Sequence, residues 1–176
     1  MTVGVPGCGK STWARNHQRK NPGTLILSTD SLRKTMWGSK RAFWEQDAER
    51  LEEARGLVKR LYVTSIQIVL CGLNKLFDTL ILDNTHVDVR DRNDYTLQSL
   101  YEMKENHDIK PTLWVFHTEL DDLITRNSFT RNVDDQVPIE HVKHCYKEMY
   151  KEHSWWSQYE GEVYERSKDT DWVRRT

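Results

Sequence analysis

The chain has 176 residues, of which 37% are hydrophobic and 30% charged, and its formal net charge is −1. This balance is typical of one globular domain and argues against a disordered chain. The near-neutral charge argues against electrostatic binding along a long stretch of nucleic acid, but it allows binding to one end of a strand. Because no apolar run reaches the roughly 18–20 residues that cross a bilayer and the N-terminus lacks the layout of a signal peptide, we expect a cytoplasmic protein without membrane contact.

Short apolar segments alternate with longer helical segments along the chain. In chain order, the pattern predicts a strand at residues 2–5, a helix at 10–20, a strand at 24–28, a short helix capped by Thr29 and Asp30 that ends at Lys34, and a helix at 45–77. It then predicts a strand at 79–82, a helix at 91–106, a strand at 111–117, a helix opened by a capping box of Thr118 and Asp121, and a helix from 138 to about 154. This alternation predicts a single α/β domain over residues 1–176, with a central parallel sheet flanked by helices.

Residues 4–11 match the pattern GxxxxGK[ST] and lie between a predicted strand and a predicted helix. Glycines let the backbone approach phosphate oxygens closely, and the N–H groups at the start of the next helix face the anion. Lys10 supplies a positive charge for the β- and γ-phosphates, and the Ser11 hydroxyl can ligate Mg²⁺. The motif predicts a phosphotransferase that uses ATP (or another nucleoside triphosphate) with Mg²⁺. The predicted ATP-binding residues of this loop are Gly4, Pro6, Gly7, Cys8, Gly9, Lys10, Ser11 and Thr12.

Polar residues follow the second and third predicted strands, at the sheet edge where ligands bind. Asp30 could accept the proton of an acceptor hydroxyl, and Arg33, one helical turn later, could bind an acceptor phosphate. The alternative is that Asp30 only caps its helix and Arg33 lies on the surface. Asp83 is a candidate metal-side carboxylate, extended by Asn84 and Thr85, or else these three residues only form a turn.

Two arginines, Arg126 and Arg131, follow the fourth strand and its helix, where kinases of this shape carry a lid. An arginine that closes over the transferred phosphoryl group stabilises the charge that develops there. The alternative is that both arginines are simply solvated.

Five segments, in order, resemble the 5′-kinase domain of phage polynucleotide kinase: GVPGCGKSTWARN…KNPG, STDSLRK, ILDNT, VFHTELDDLITRNS and VPIEHVKHCYKEM. Together they run from Val3 to about Tyr150. The resemblance implies a P-loop kinase fold with a helical lid. It also implies transfer of the ATP γ-phosphoryl group to 5′-OH ends of DNA or RNA, in the cytoplasm of a bacterial or phage-infected cell.

The resemblance also implies a role for each matching position. Lys10 and Ser11 match the phosphate-binding lysine and its hydroxyl partner, and Asp30 matches the general base. Arg33 matches the arginine that contacts the neighbouring acceptor phosphate, and Arg131 matches the lid arginine, with Arg126 as its companion. The implied acceptor-binding residues are Asp30, Arg33, Val137, Pro138 and His141. The polar sheet edge adds Asn84 and Thr85 to this set, and Ser11 and Asp83 are the candidate metal-side residues. The family's carboxylate near Asn84 is either represented by Asp83 or absent.

The sequence departs from this family in several places. One extra residue stands between Arg126 and Arg131, and His141 replaces an apolar residue. No DxDxT motif of the family's 3′-phosphatase domain is present, so we expect the kinase domain alone. Two other functions stay open: a kinase for a nucleoside, sugar or nucleotide-sugar, and a regulator that binds ATP without transferring its phosphate.

Overall fold

The computed structural model describes residues 1–72, 76–88, 110–151, 156, 159, 161–167 and 170–175. In chain order its elements are β1 (Thr2–Val3), α1 (Lys10–Lys20), β2 (Thr24–Leu27), α2 (Thr29–Trp37), α3 (Lys40–Trp44), α4 (Ala48–Gly72), β3 (Thr79–Leu82), β4 (Thr112–Phe116), α5 (Leu120–Thr125), a π-helical turn (Arg126–Thr130), a 3₁₀ turn (Val133–Asp135), α6 (Ile139–Lys151), β5 (Glu162–Arg166) and β6 (Val173–Arg175). The helix predicted at 91–106 lies outside the described residues. No helix in the described part of the chain is long and apolar enough to cross a membrane.

The strands form a mostly parallel arrangement at the centre of the molecule. β2 pairs with β3 in parallel, and β1, β4 and β5 pair in parallel with β6 antiparallel at the edge. Two hydrogen bonds bring β1 beside the end of β3: the Thr2 hydroxyl donates to the Leu82 carbonyl at 3.2 Å, and the Gly4 N–H donates to the Thr85 carbonyl at 2.9 Å. The predicted α/β fold with a parallel central sheet and flanking helices is therefore confirmed, with an antiparallel strand at one edge.

Several predicted boundaries were wrong by a few residues. β1 ends at Val3 rather than residue 5, because Gly4 has a φ of 151° and the chain turns there. α2 continues past Lys34 to Trp37 and stops at Gly38, whose φ is 78°. The long helix predicted at 45–77 begins at Ala48 and ends at Gly72.

Two predicted helix caps do not form. At α2, Ser28 precedes the first helical residue and no side chain accepts a capping hydrogen bond, so Asp30 lies inside the first turn. At α5, Glu119 takes the capping position, and the Thr118 hydroxyl donates instead to the His117 carbonyl at 2.8 Å. At α5 this local side-chain–backbone bond replaces the cap. At α2 the Thr29 hydroxyl donates to Asn84 Oδ1 at 2.9 Å, a distant partner that spacing along the chain does not reveal.

Two packing regions matter for the site. The main core, with Val3, Val115 and Leu123 fully buried, packs β1 and β4 against the neighbouring helices. A smaller core formed around Phe43 and Val58 packs α3 and α4 together behind α2. Because burying such side chains stabilises the fold by about 1.5–3 kcal/mol each, this smaller core fixes α3 close to α2.

Candidate functional site

The loop between β1 and α1 has a backbone that favours glycine at three positions. Gly4, Gly7 and Gly9 have φ values of 151°, 98° and 100°, in the region that L side chains rarely adopt. A Cβ at Gly4 would also lie 2.7 Å from Cys8 Sγ and 3.0 Å from the Phe116 carbonyl oxygen. Only glycine meets these demands without strain, so the loop keeps its backbone open to an approaching ligand.

Lys10 is the first residue of α1, directly after this loop, and is 7% exposed. Its ammonium donates to the carbonyls of Gly4 at 2.7 Å and Val5 at 3.0 Å, and Cys8 Sγ lies 3.5 Å away. Buried ammonium groups need such partners because desolvation disfavours the charge. These contacts hold the side chain of Lys10 against the loop that the sequence predicts will bind phosphate.

A cleft of about 610 Å³ opens over the loop. It brings together most of the predicted site residues from distant parts of the chain: Pro6, Gly7, Gly9, Lys10, Ser11, Thr12, Asp30, Arg33, Asp83, Asn84, Thr85, Arg126, Arg131, Val137 and His141. Gly4, Cys8 and Pro138 are not among its lining residues. The Pro138 carbonyl accepts the N–H of His141 at 3.0 Å, so this proline helps to start α6.

Sequence reasoning missed five charged or aromatic residues that line the cleft: Arg15, Lys34, Lys40, Trp44 and Asp135. Lys40 and Trp44 belong to α3, a five-residue helix that the sequence pattern did not predict. Its signal was the Gly38–Ser39 pair, since Ser39 caps the helix by accepting the N–H of Ala42 at 3.0 Å.

The Asp30 carboxylate faces two cations. Arg33 Nη1 lies 2.7 Å from Oδ1, and Lys40 Nζ lies 2.5 Å from Oδ2. Partial burial raises the pKa of Asp30, but Lys40 and Arg33 together lower it to about 2. Asp30 is therefore ionised at neutral pH, and it pairs with cations in the cleft instead of capping its own helix.

Arg33 is fixed by aromatic rings. Its guanidinium lies over the ring of Phe43 at 4.9 Å and over that of Trp44 at 5.6 Å from the centroids. Only 19% of its side chain is exposed. Arg33 is thus a cleft residue rather than a solvated surface residue, and its position depends on the packing of α3.

Asp83 and Ser11 both line the cleft and could hold a divalent cation. Asp83 is 6% exposed, and its Oδ1 has no hydrogen-bond partner among the described residues. A buried carboxylate oxygen without a donor is costly unless an ion or water satisfies it. A carboxylate together with a hydroxyl and phosphate oxygens suits Mg²⁺, so the residues present fit this ion.

The predicted lid follows α5 as a π-helical turn and a 3₁₀ turn. The Arg131 N–H donates to the Arg126 carbonyl at 3.1 Å, an i to i+5 bond that accommodates one residue more than an α-helical turn. Arg126 Nη1 donates to the Gly7 carbonyl at 3.4 Å, so the lid reaches the phosphate-binding loop. Buried Asn127 donates to the Val137 carbonyl at 2.9 Å and accepts its N–H at 3.2 Å, and thereby anchors the lid.

A second cavity of about 550 Å³ adjoins the first. The two share five lining residues: Arg33, Trp44, Asn84, Thr85 and His141. From this shared wall the second cavity extends along α4 and α6 to Arg55, Lys59 and His144. Trp44 connects the shared wall to the rest of the second cavity. Its ring centroid lies 4.7 Å from that of His141 and 5.3 Å from the Arg55 guanidinium.

His141 is neutral at physiological pH. Burial lowers the pKa of its imidazole to about 4, with further lowering by Arg33, Arg55 and His144. The ring can therefore pack against Trp44 and offer hydrogen bonds without adding another positive charge to the shared wall.

Comparisons with known proteins agree with this geometry. The model of an AAA domain family, AAA_33, matches residues 1–152. Three solved structures illustrate the likeness. Chaetomium thermophilum Kti12 in complex with ADP-AlF3 has a TM-score of 0.65 at 14% identity, over 97% of this chain and 89% of the other. M. mycoides deoxyadenosine kinase, with dCMP and dCDP bound, has a TM-score of 0.56 at 17% identity, over 97% and 92%. A structure of the PezAT toxin–antitoxin system of Streptococcus pneumoniae has a TM-score of 0.53 at 18% identity, over 98% and 68%. At these identities the likeness concerns the fold alone.

Proposed function

Because the chain belongs to the AAA_33 family of AAA domains, a P-loop kinase-like family, we propose that it is an ATP-dependent polynucleotide 5′-hydroxyl kinase. One observation carries the proposal. A single cleft holds a phosphate-binding loop with its lysine, an ionised carboxylate beside an arginine, and two lid arginines. A donor with several phosphates and an acceptor hydroxyl could meet between them.

On the donor side, the loop N–H groups and Lys10 bind the β- and γ-phosphates of ATP. Arg126 and Arg131 close over the transferred phosphoryl group and stabilise the charge that develops during transfer. Ser11 and Asp83 would hold Mg²⁺, which when bound offsets the negative charge of the donor phosphates.

On the acceptor side, Asp30 orients the 5′-hydroxyl and accepts its proton. The hydroxyl oxygen forms a bond to the γ-phosphorus while the bond between that phosphorus and the β–γ bridging oxygen breaks, so ADP leaves. Arg33 binds the next phosphate of the acceptor. Two rings already hold its guanidinium in the cleft, so this contact needs little movement of the side chain.

The second cavity favours a polynucleotide over a small acceptor. A nucleoside or sugar would need only the first cleft, whereas the second cavity continues past the shared wall toward Arg55 and Lys59. Asn84, Thr85 and His141 stand where the two cavities meet, and Val137 and Pro138 precede α6 beside them. Arg55 and Lys59 line this second cavity together with three carboxylates, those of Glu52, Asp88 and Glu148. The support for a strand as the acceptor is therefore the room for the nucleotides that follow the 5′ end.

The test is transfer of label from γ-labelled ATP to 5′-OH DNA and RNA oligonucleotides, beside free nucleosides and sugars. We expect labelled 5′ ends with the wild-type protein and none with Lys10→Ala or Asp30→Ala. Arg41→Gln is the matched control, since Arg41 pairs with Glu45 on the outer side of α3 at 51% exposure.

Transfer to a nucleoside or sugar but to no oligonucleotide would overturn the polynucleotide assignment and leave a small-molecule kinase. ATP binding that persists in Asp30→Ala, with no acceptor labelled by the wild type, would identify a nucleotide-binding regulator instead.

A further inference from the structure

We infer that Lys40 is a further acceptor-binding and specificity residue: its ammonium holds one oxygen of the Asp30 carboxylate until a phosphate of the acceptor takes its place. The inference rests on the proposed kinase function and narrows its acceptors to those that carry a phosphate near the reacting hydroxyl. Such acceptors, among them a nucleoside 3′-phosphate and any strand, would be preferred over a free nucleoside or sugar.

The first support is the geometry around Asp30. Each carboxylate oxygen faces its own cation, Oδ1 with Arg33 at 2.7 Å and Oδ2 with Lys40 at 2.5 Å. A carboxylate neutralised on both oxygens attracts a hydroxyl proton less strongly than one that keeps a single cation. The base would therefore act better once one of the two cations has moved.

The second support is that the two cations are held differently. Arg33 lies on the same helix as Asp30, and its guanidinium rests on the fully buried ring of Phe43. Lys40 belongs to the separate short helix α3, and Asp30 is its only ion-pair partner in the described part of the chain. A lysine ammonium on a flexible four-carbon stem also reorients more readily than a stacked guanidinium, so Lys40 is the cation that can change partners.

The third support is the charge of the cleft. Seven basic and three acidic side chains are among the described residues that line it. Lys10, Arg126 and Arg131 are proposed to serve the donor phosphates. Arg33 and Lys40 instead pair with Asp30. An uncharged acceptor would leave both of these ion pairs unchanged. A phosphate would meet both, and charge-assisted bonds to phosphate would offset the ion pair that Lys40 gives up.

The exchange also explains how Asp30 could be both a weak base at rest and an effective one in the complex. Partial burial raises the pKa of this carboxyl, and of the two cations that lower it Lys40 contributes more than Arg33. When the Lys40 ammonium leaves Asp30 and pairs with a phosphate of the acceptor, it no longer lowers the pKa of Asp30. This change coincides with the arrival of the acceptor hydroxyl.

The test compares adenosine with adenosine 3′-monophosphate as acceptors. Their affinities are measured by calorimetry in the presence of a non-hydrolysable ATP analogue, and their kcat/KM values by label transfer. For the wild type we expect a preference for the 3′-monophosphate of about tenfold to a hundredfold. Lys40→Gln should lose most of this preference, because its affinity and kcat/KM for the 3′-monophosphate should fall much further than its values for adenosine. Lys40→Arg and the control Arg41→Gln should keep the preference, and thermal unfolding checks that each variant is folded.

Three results would overturn the inference: a wild type with no preference, a Lys40→Gln variant with an unchanged preference, or a Lys40→Gln variant that loses both acceptors equally, as a merely structural lysine would. Labelled oligonucleotides with an unchanged preference in Lys40→Gln would leave the kinase proposal standing without this role for Lys40. A preference in binding that Lys40→Gln abolishes, with no label on any acceptor, would support the phosphate contact and overturn the kinase.

Discussion

The two halves of the cleft are built in different ways. The proposed donor half consists of the loop at residues 4–11 with the lid arginines. The contacts of Lys10 within this loop join residues close in the chain, since its ammonium donates to carbonyls five and six residues earlier. The proposed acceptor half consists of Asp30, Arg33, Lys40, Trp44 and His141. Its contacts join α2 to α3 and α3 to α6, so it exists only when these helices pack together.

Under the proposed function, the two constructions place substrate discrimination in the acceptor half. The triphosphate group is the same in every nucleoside triphosphate, so a loop with fixed backbone geometry is sufficient to bind it. Acceptors differ in shape and charge, and the contacts of the proposed acceptor half depend on how the helices pack.

The largest expected effect on activity comes from a substitution in the proposed acceptor half alone. Asp30→Asn removes the proposed base, so kcat/KM for a 5′-OH oligonucleotide should fall by about 10²–10⁴. The Kd for ATP should stay at the wild-type value, because no loop contact of the donor half involves Asp30. Transfer kinetics and equilibrium ATP binding check the two halves separately, with exposed Asp134→Asn as the matched control. A turnover within about tenfold of the wild type would remove Asp30 from the mechanism.

The next effect breaks the donor half. Lys10→Met removes the buried ammonium, and the rate of transfer should fall by about 10²–10³, as for other groups aimed at the developing charge. ATP binding should weaken in the same variant, in contrast to Asp30→Asn. Lys20→Met, an exposed lysine at the end of α1, should behave as the wild type. Unchanged ATP affinity in Lys10→Met would contradict the assignment of the loop as the donor site.

A third prediction concerns the Mg²⁺ site that is proposed at Ser11 and Asp83. Asp83→Asn keeps the size of the side chain but removes its charge, so the Mg²⁺ concentration needed for half-maximal transfer should rise by about tenfold to a hundredfold. Mg²⁺ titrations of the transfer rate measure this directly. The comparison variant is Asp78→Asn, which changes an exposed carboxylate just before β3. Equal Mg²⁺ dependence in both variants would rule out Asp83 as a metal-side residue.

The smallest effect concerns stability and belongs to the acceptor half. The pKa of His141 is lowered to about 4 in the folded state, first by burial and then by Arg33, Arg55 and His144, so the unfolded chain binds a proton at this position more readily. Its contribution to the free energy of unfolding is fully present above pH 6.5 and is lost as the pH falls toward 4, by about 3 kcal/mol at most.

Urea unfolding at pH 7 and pH 4.5 checks this sign. His141→Phe keeps a ring against Trp44 but cannot titrate, so the decrease in stability between the two pH values should be smaller than in the wild type. An equal decrease in both proteins would show that His141 is not responsible for the pH dependence.

Sequence reasoning was most accurate where structure is local. α1 begins at Lys10 and ends at Lys20 as predicted, because the phosphate-binding loop fixes its start and the Asn-Pro-Gly turn fixes its end. β2 and β3 were placed to within a residue, since short apolar runs between turns have few other structures. The same reasoning failed at β5, where only two adjacent apolar residues, Val163 and Tyr164, stand between charged neighbours and give a weak signal. The strand forms because it pairs with β4.

Three features can be derived from the amino-acid sequence alone: the loop at residues 4–11, the alternation of strands and helices, and the placement of Asp30 and Asp83 at one edge of a parallel sheet. These features follow from backbone preferences and periodicity over a few residues. The folded molecule was needed to show that Lys40 pairs with Asp30, that Trp44 contacts His141, and that the two cavities share one wall. Those contacts join side chains on separately packed helices, and a pattern along the chain carries no information about which helix faces which until the apolar faces have packed.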